Sequence, residues 1–398
     1  MTEPPNTRSR PRRYATRAAI AFGLVVAVLI GIAFTAPQIM HIPGPITLFQ
    51  LFREPPSTQG TLFASRTIPA ARTPRPLPVG TAALPNTVPW KGSHIPVAEF
   101  LSTTKTNSFL IVRNGVLVHE WYRDGVEATT PQASWSVAKS VVSLLIGRAI
   151  EAGRLREEDR LVDILPELTT GTDYDTVTIR DLLDMASGID VPENYNRLWP
   201  FTGTARMYLT EDLPGFLAEH RTVTFPPGSR GEYRSVDTQL LGAVLAKVDG
   251  RAIGDQLARD LWDPIGAQDE ARWNLDHPGG QEKAFCCLNA TARDFAKIGQ
   301  LILDGGRANG TQIVPPAWIE RIRKPAPNPI SDWGYGAQWW HPSDGTGADL
   351  TALGVYGQYI YVDPPSATVI VKLSDYGTTQ DEPETVEVFR TIANAPLS

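Results

Sequence analysis

The sequence predicts an α+β fold in which one antiparallel sheet is formed by both ends of the domain and flanked by helices, with a helical subdomain inserted between those ends. Two predicted hairpins lead to this prediction. Apolar runs in 108–122 flank Asn114-Gly115, a pair that favours the turn matching the twist of paired strands. A second hairpin is expected at 358–374, around Pro364-Pro365-Ser366. Helical patterns occupy 138–152, 178–186, 211–219, 237–248, 253–262 and 290–304, and a final amphipathic helix is expected at about 382–393.

The amino terminus has the composition of a membrane segment. Residues 1–17 contain five arginines and one acidic residue, Glu3. Residues 18–36 then carry no charge, and this is about the length that crosses a hydrocarbon core of ~30 Å. Because arginines beside a span stay in the cytoplasm, we predict a basic cytoplasmic tail (1–17) and a single-pass transmembrane anchor (18–36) in the lipid bilayer of the cell membrane. The remainder of the chain would be extracytoplasmic.

Two export signals offer other interpretations of this segment. A cleaved signal peptide has similar features, but the apolar core is long for one and Pro37 is a poor first residue for a mature chain. Arg12-Arg13 would allow twin-arginine export, although the residues that follow fit that signal weakly. We therefore predict an anchor that is not cleaved.

Beyond the apolar segment, the chain divides into two parts. Residues 37–90 are rich in proline and lack periodicity, so we predict a semi-rigid tether with some extended wrapping rather than a domain. Residues 91–398 are expected to form one hydrolase domain, because turn signals recur throughout and neither a further boundary nor an internal repeat is visible.

The composition argues against several classes of function. The net charge of −6 and the lack of a basic stripe in the body of the chain argue against a nucleic-acid partner. The six histidines are scattered and form no metal-binding motif, so we predict no metal and no organic cofactor. Cys286 and Cys287 are the only cysteines. We expect two small buried apolar side chains, because a bridge between neighbours would be strained and would link no distant segments.

A serine and a lysine lie three residues apart where the first predicted helix begins. In Ser-Trp-Ser-Val-Ala-Lys-Ser (134–140), Ser136 falls in the first turn and Lys139 one turn later, so the amine can reach the hydroxyl. The start of a helix also offers unpaired N–H groups to a developing oxyanion. A lysine serves as a base only when burial lowers its pKa. Taken alone, the pair more often represents a capping serine and a solvated lysine.

Two later segments supply candidate partners for this pair. In 231–237, Tyr233 and Ser235 alternate around Arg234, so both can face one side of an extended turn, and a phenol near an amine can transfer a proton. A buried tyrosine that ties down a loop is the alternative. In 352–358, Gly354 allows another backbone or a ligand to approach closely, and the N–H of Val355 could be a second oxyanion donor. An ordinary strand with a bulge would explain the same residues.

The order of these motifs resembles a known family. SVAK (136–139), YRS (233–235) and LGVYGQYIYVDP (353–364) occur in the order and spacing of the serine β-lactamase-like hydrolases built on the penicillin-binding fold. TIRDLLDMASGI and NATARDFAKIGQLILDGG also resemble recurring helical segments of that group. The resemblance is greatest to 6-aminohexanoate-dimer hydrolases, and it extends to family VIII carboxylesterases and class C β-lactamases. It covers roughly three quarters of the chain.

This resemblance implies roles for individual residues. Ser136 would be the nucleophile, Lys139 and Tyr233 its proton network, and the N–H groups of Ser136 and Val355 the oxyanion hole. The Glu193-Asn194-Tyr195 loop would bring Tyr195 over the substrate amide. The residues expected to bind substrate are Ser235, Tyr195, Gly354 and Trp135, of which Ser235 occupies the position where lactamases carry asparagine.

Two departures from the lactamase pattern bear on the substrate. The third lactamase motif, Lys-Thr-Gly, would fall at Ala352-Leu353-Gly354, which lacks the groups that hold a β-lactam carboxylate. Ser235 removes the side-chain amide of asparagine. Arg234 could contact a carboxylate instead, although we expect a solvated arginine, which is the commoner situation.

The sequence therefore predicts a membrane-anchored, extracytoplasmic serine hydrolase that cleaves a small-molecule ester or amide through an acyl-enzyme. One alternative is a β-lactamase or D,D-peptidase. A second is a catalytically silent envelope protein that binds cell-wall peptide or a membrane partner. A Ser-His-Asp hydrolase is disfavoured, because the chain has no G-x-S-x-G elbow and no histidine near a serine motif.

Overall fold

The computed structural model describes residues 10–195, 200–343, 347–379 and 381–396. Within them the strands are β1 Ser65–Ile68, β2 Thr87–Trp90, β3 Ser93–Pro96, β4 Thr106–Arg113, β5 Val116–Tyr122, β6 Gln132–Ala133, β7 Ala271–Asn274, β8 Leu288–Ala290, β9 Arg307–Ala308, β10 Thr311–Gln312, β11 Gly334–Gly336, β12 Trp339–His341, β13 Leu350–Gly354, β14 Gln358–Asp363 and β15 Thr368–Ser374. The α-helices are α1 Arg10–Ile39, α2 Pro45–Arg53, α3 Val97–Thr103, α4 Val137–Glu151, α5 Leu161–Ile164, α6 Ile179–Leu183, α7 Gly203–Leu209, α8 Leu213–Glu219, α9 Ser235–Asp249, α10 Ile253–Leu257, α11 Ala292–Leu303, α12 Pro316–Ile322 and α13 Glu382–Ala393.

The main sheet joins the two ends of the domain, as predicted. Its seven antiparallel strands have the order β11-β12-β13-β14-β15-β4-β5. The β4–β5 hairpin turns at Asn114-Gly115, both with positive φ, and β4 pairs with the late strand β15, with Leu110 opposite Val371. The predicted α+β class and the sheet closed by both termini are confirmed.

Alternating side chains of the central strands enter two separate cores. Leu110 of β4 and Val371 of β15 face the larger core, into which α4 and α11 pack. Phe109 and Ile370, their neighbours in sequence, face a second core that includes Phe389 of α13. Because successive strand residues point to opposite faces, strands buried on both faces read as continuous apolar runs. The sheet thus forms a rigid support beneath α4.

The helical insert follows the predicted segments with two differences. The helix expected at 253–262 is α10 followed by a π-helical turn, Ala258–Trp262. Helices α5, α7 and α12 of the insert were not predicted, nor were α2 and α3 before it, and each of these five has nine residues or fewer. A second sheet of order β1-β7-β8-β6 lies beside the insert and ends directly before Ser134.

The proline-rich segment lies along the body of the protein. β1 pairs with β7, with Ser65 opposite Asn274, and the Arg66 Nε donates to the Glu282 carboxylate at 2.6 Å. The backbone N–H of Ser57 donates to Asp375 at 2.7 Å. Strand pairing and these hydrogen bonds hold parts of the 57–68 segment against the domain, and the tether itself stays a prediction. The domain boundary at 91 stays a prediction.

The amino-terminal helix contains an apolar stretch long enough to cross a membrane. Within α1, residues Arg17–Ile39 form the only such stretch in the described part of the chain, and its apolar 18-residue window is not buried by the rest of the protein. A signal sequence near the amino terminus can pass the same test of length and composition. Membrane anchorage therefore stays a prediction.

Candidate active site

The start of α4 places Ser136 at the edge of a cleft. β6 pairs with β8, and the Ser134 N–H donates to the Leu288 carbonyl at 2.8 Å. Trp135 then adopts a left-handed conformation with φ 47°, which turns the chain sharply into the helix. Ser136 is the N-cap residue of α4, so its own N–H precedes the helical hydrogen-bond pattern.

Lys139 is buried against Ser136 rather than solvated. Its side chain is 1% exposed. The Nζ atom lies 2.7 Å from the Ser136 Oγ and 2.8 Å from the carbonyl oxygen of Phe285, and it faces the ring of Tyr233 at 5.1 Å from the centroid. Burial lowers the pKa of Lys139 to about 7, against the opposing effect of the Glu193 and Asp237 carboxylates. A large fraction of this amine is therefore neutral at physiological pH.

Tyr233 completes a cluster around the serine hydroxyl. It lies two residues before the buried start of α9, and its ring stacks on Trp340 at 5.3 Å between centroids. Burial and the Glu193 charge raise its pKa, and a hydrogen bond with the Ser136 hydroxyl acts in the opposite direction. The phenol consequently keeps its proton at neutral pH.

The end of β13 approaches the start of α4 very closely. A Cβ atom at Gly354 would lie 2.6 Å from the Ser134 carbonyl oxygen and 3.0 Å from the Ser136 nitrogen. Only glycine allows this approach, which brings the following residue, Val355, to the wall of the cleft beside Ser136. The close approach of β13 to the start of α4 therefore brings the backbone segments of Ser136 and Val355 side by side.

We expect Gly354→Ala to lower kcat/KM about 100-fold or more, because the added methyl group would push β13 away from the start of α4 and displace one oxyanion donor. Ester turnover by the purified variant measures this effect. Gly377→Ala is the matched control, since an added Cβ there would lie 3.5 Å from its nearest neighbour, which is ordinary van der Waals contact. Full activity in Gly354→Ala would contradict the close contact.

Glu193 is a site residue that the sequence analysis did not single out. Its carboxylate accepts hydrogen bonds from the Ser235 N–H at 2.9 Å, from the Ser235 Oγ at 2.8 Å and from the Thr204 hydroxyl at 2.9 Å. The Tyr195 hydroxyl donates to the same carboxylate, and burial raises the Tyr195 pKa. Glu193 therefore holds the 193–195 loop against the start of α9. Its position two residues before Tyr195 was the only sequence signal.

A cavity of about 240 Å³ opens above Ser136. Of the predicted site residues, Trp135, Ser136, Tyr195, Ser235 and Val355 line it. The Trp135 ring contacts Tyr356 edge to face at 4.8 Å and Tyr208 at 5.3 Å between centroids. None of the described residues that line the cavity carries a charged side chain.

Arg234 neither points into solvent nor lines the cleft, the two positions considered from the sequence. Its side chain is buried, and its guanidinium donates to Glu232 at 2.7 Å and to Thr224 at 3.2 Å. The expectation of a solvated arginine is wrong, because α9 begins inside the protein. The alternative of a carboxylate contact in the cleft also lacks support, since Arg234 is not among the described residues lining the cavity.

Cys286 and Cys287 are buried as expected, but they are joined in a disulfide. The prediction of two unlinked side chains is therefore wrong. Cys287 has a left-handed backbone with φ 75°, and this turn brings the neighbouring sulfur atoms together. Cys286 lines the cavity next to Phe285, whose carbonyl oxygen accepts from Lys139.

The described surroundings of Ser136 contain neither a histidine nor a cluster of metal-binding side chains. Among the described residues, no histidine lines the cavity and no group of His, Cys, Asp and Glu could hold a metal ion. His220 stacks on Phe216, and burial lowers the pKa of His341 to about 4. The described cluster is a serine, a lysine and a tyrosine in mutual contact.

Comparison with known proteins agrees with this geometry. Residues 103–391 match the Beta-lactamase family. The chain is 29% identical over 293 residues to the 6-aminohexanoate-dimer hydrolase of Paenarthrobacter ureafaciens, covering 69% of this chain and 74% of that protein. It is 26% identical over 293 residues to penicillin-binding protein 4 of Amycolatopsis lactamdurans, covering 64% and 74%.

A solved structure from Bacillus anthracis, provisionally named a 6-aminohexanoate-dimer hydrolase, superposes with a TM-score of 0.76 at 25% identity. The superposition covers 88% of this chain and 94% of that one. The family match spans well over half of the chain and includes the Ser136, Tyr233 and Val355 segments. This chain is therefore a member of the β-lactamase family of serine hydrolases.

Proposed function

We propose that this protein is a membrane-anchored, extracytoplasmic hydrolase that cleaves a neutral ester or amide through an acyl-enzyme on Ser136. One observation supports the proposal above all others. The buried amine of Lys139, with its pKa lowered to about 7, lies 2.7 Å from the Ser136 hydroxyl oxygen. A neutral amine at that distance is a competent general base.

In the first step, the Lys139 Nζ takes the Ser136 proton while the Oγ attacks the substrate carbonyl carbon. The sequence left open whether Lys139 or Tyr233 is the base. The directions of the two pKa shifts favour Lys139, because its amine loses a proton more readily than usual and the Tyr233 phenol does so less readily.

The tetrahedral oxyanion would be held by the backbone N–H groups of Ser136 and Val355. The Ser136 N–H lies at the N-cap of α4, and the Val355 N–H belongs to the residue that directly follows β13, so each donor is positioned by the end of a regular element. Removal of a single donor of this kind costs about 3 kcal/mol of transition-state stabilisation.

Tyr233 would then transfer a proton to the leaving group. Its hydroxyl is hydrogen-bonded to Ser136 and its ring faces the Lys139 amine, so the phenol is near enough to the reacting atoms to give its proton to the departing alcohol or amine. A water molecule activated by the same residues would hydrolyse the acyl-enzyme and release the acid.

The cavity supports a neutral substrate rather than a β-lactam or a peptide carboxylate. Its described lining is uncharged, and Ala352-Leu353-Gly354 lacks the cationic and hydroxyl groups of the lactamase motif. An anionic ligand would lose its hydration there without gaining an ion pair. This favours esterase or amidase activity, in keeping with the name of the Paenarthrobacter relative.

The proposed location follows from the amino-terminal charge pattern. α1 contains an apolar span with arginines on its amino-terminal side, which favours a cytoplasmic amino terminus and an exported domain. Protease accessibility of the domain in intact cells tests this sidedness.

The acyl-enzyme is tested by trapping it. We expect a fluorophosphonate probe to label the purified protein once, with the added mass on the peptide that contains Ser136. Ser136→Ala should abolish labelling while circular dichroism stays unchanged. Label on another serine, or no label on a folded protein, would contradict the proposed mechanism.

A chromogenic cephalosporin, measured beside a p-nitrophenyl ester, separates the esterase from a lactamase. We expect ester turnover to exceed cephalosporin turnover by about 100-fold or more, because the lining offers no partner for the cephalosporin carboxylate. Rapid cephalosporin hydrolysis would favour the lactamase alternative.

A further inference from the structure

The helix that follows the apolar span forms one wall of the active-site cavity. α1 ends at Ile39 and α2 begins at Pro45. From α2, the side chains of Leu48, Leu51 and Phe52 line the cavity above Ser136. The segment next to the predicted anchor is thus part of the substrate site.

The opposite face of α2 is apolar as well, but it is not covered by the described protein. Ile46 is 67% exposed and Phe49 is 60% exposed. The Arg53 guanidinium lies 5.6 Å from the centroid of the Phe49 ring at the end of the helix. A helix with exposed apolar residues and a basic residue that can reach lipid headgroups is suited to the surface of a bilayer.

The connection between α1 and α2 is short and fixed to the body. Five residues separate the helices and can span about 18 Å at most. The Glu211 N–H donates to the His41 carbonyl at 2.6 Å, and Ile42 packs with Leu51 and Leu209. Leu209 itself lines the cavity. If α1 spans the bilayer, the cavity therefore lies close to its surface.

The walls of the cavity are suited to a hydrocarbon chain. Aromatic and aliphatic side chains from α2, α7 and the turn after β13 surround the space, including Tyr208 and Tyr356, and Phe201 before α7 joins them. Of the polar lining residues, Ser235, Thr204 and Tyr195 lie together because their hydroxyls all donate to the Glu193 carboxylate. A ligand with one reactive polar group and one long apolar chain matches this distribution.

We propose that the substrate is a neutral, lipid-like ester or amide with one long apolar acyl chain, and that it enters the cavity from the bilayer on which α2 rests. This inference rests on the proposed serine hydrolase function. The Ser136 Oγ bonds to the acyl carbon as the carbon–oxygen or carbon–nitrogen bond to the leaving group breaks, and the leaving group takes the proton. Water then cleaves the acyl-serine and releases a fatty acid.

The first test is the dependence of turnover on acyl length. The full-length protein in detergent micelles is assayed with p-nitrophenyl esters of two to twelve carbons. We expect kcat/KM to rise about two- to fourfold for each added methylene until the cavity is filled, as burial of a hydrocarbon chain requires. A flat or falling series would overturn the assignment of the substrate class.

The second test distinguishes delivery of substrate from the bilayer from the hydrolytic reaction at Ser136. Ile46→Ser/Phe49→Ser alters the exposed face of α2 and leaves the residues that line the cavity in place. With the protein reconstituted in phosphatidylcholine vesicles, we expect this variant to lose about tenfold in kcat/KM for a vesicle-borne dodecanoyl ester. Turnover of soluble p-nitrophenyl acetate in the same preparation should change less than twofold.

Val79→Ser is the matched control, because Val79 is 78% exposed and lies outside α2 and the cavity. We expect it to match the parent protein on both esters. Equal activity of the α2 variant and the parent on the vesicle-borne ester would overturn delivery from the bilayer. Absence of acetate turnover and of Ser136 labelling in the parent would instead reject the serine hydrolase function itself, so the two failures are distinguishable.

Discussion

Lys139→Met is expected to lose ester hydrolysis by about 10⁴-fold and to unfold at the same or a higher denaturant concentration than the parent at pH 7. The loss of activity follows from removal of the amine 2.7 Å from the Ser136 Oγ, since a nucleophile and its base act as a unit. The gain in stability follows from burial. Lowering the lysine pKa to about 7 costs several kcal/mol, and methionine fills a similar volume without that cost.

Lys283→Met is a matched control for this substitution. Lys283 is fully buried, its pKa is also lowered to about 7 by burial, and its Nζ donates to the Thr210 carbonyl at 2.8 Å. It does not line the cavity. We expect this variant to keep ester turnover within about threefold of the parent. Activity that survives in Lys139→Met, or an equal loss in both variants, would contradict the role of Lys139 as the base.

The same lysine predicts the pH dependence of both activity and stability. The groups that act on its charge are the Glu193 and Asp237 carboxylates and the Tyr233 ring. Because the neutral amine is the active form, kcat/KM should rise with pH through about 7. Between that pH and about 10.4 only the unfolded chain binds this proton, so the free energy of unfolding also rises with pH. In Lys139→Met, the free energy of unfolding should rise less steeply with pH over this range, because the titrating amine is absent.

The parts of the fold that the sequence predicted are those determined by local patterns. Asn114-Gly115 favours a tight turn, and the flanking apolar runs form β4, which is buried on both faces, and the half-buried edge strand β5. Helix α2 was missed because proline and glycine surround a short segment whose apolar residues face in two directions. Its helical state depends on contacts with Leu209 and Tyr208, which are more than 150 residues away.

The same distinction applies to the site. Ser136 and Lys139 are three residues apart on one helix, so their contact follows from helix geometry. Tyr233 came from the order of motifs in a family, since nothing in the sequence alone places it beside Lys139. Glu193 was missed because its partner Ser235 lies 42 residues along the chain. The Cys286–Cys287 disulfide depends on a left-handed residue that sequence patterns rarely indicate.

Tyr233→Phe is expected to separate substrates by their leaving groups. The Tyr233 phenol keeps its proton because burial and Glu193 raise its pKa, so its proposed task is to donate a proton and not to remove one. A p-nitrophenolate leaves without a proton, whereas an amine cannot leave a tetrahedral intermediate unprotonated. We therefore expect kcat/KM to fall about 10³-fold for an anilide or alkyl amide, and only about 10-fold for the matching p-nitrophenyl ester.

Tyr335→Phe supplies the comparison that this interpretation requires. The Tyr335 ring is buried and meets the Tyr233 ring edge to face at 5.9 Å, so the variant loses a hydroxyl in the same aromatic cluster. Its ratio of ester to amide kcat/KM should match that of the parent, because Tyr335 does not contact Ser136 or Lys139 in the described contacts.

An equal loss of kcat/KM on ester and amide in Tyr233→Phe would mean that the phenol positions Ser136 or Lys139. A selective loss of the amide, with Lys139 still titrating near pH 7 in the ester profile, assigns the final proton transfer to Tyr233 and the first to Lys139.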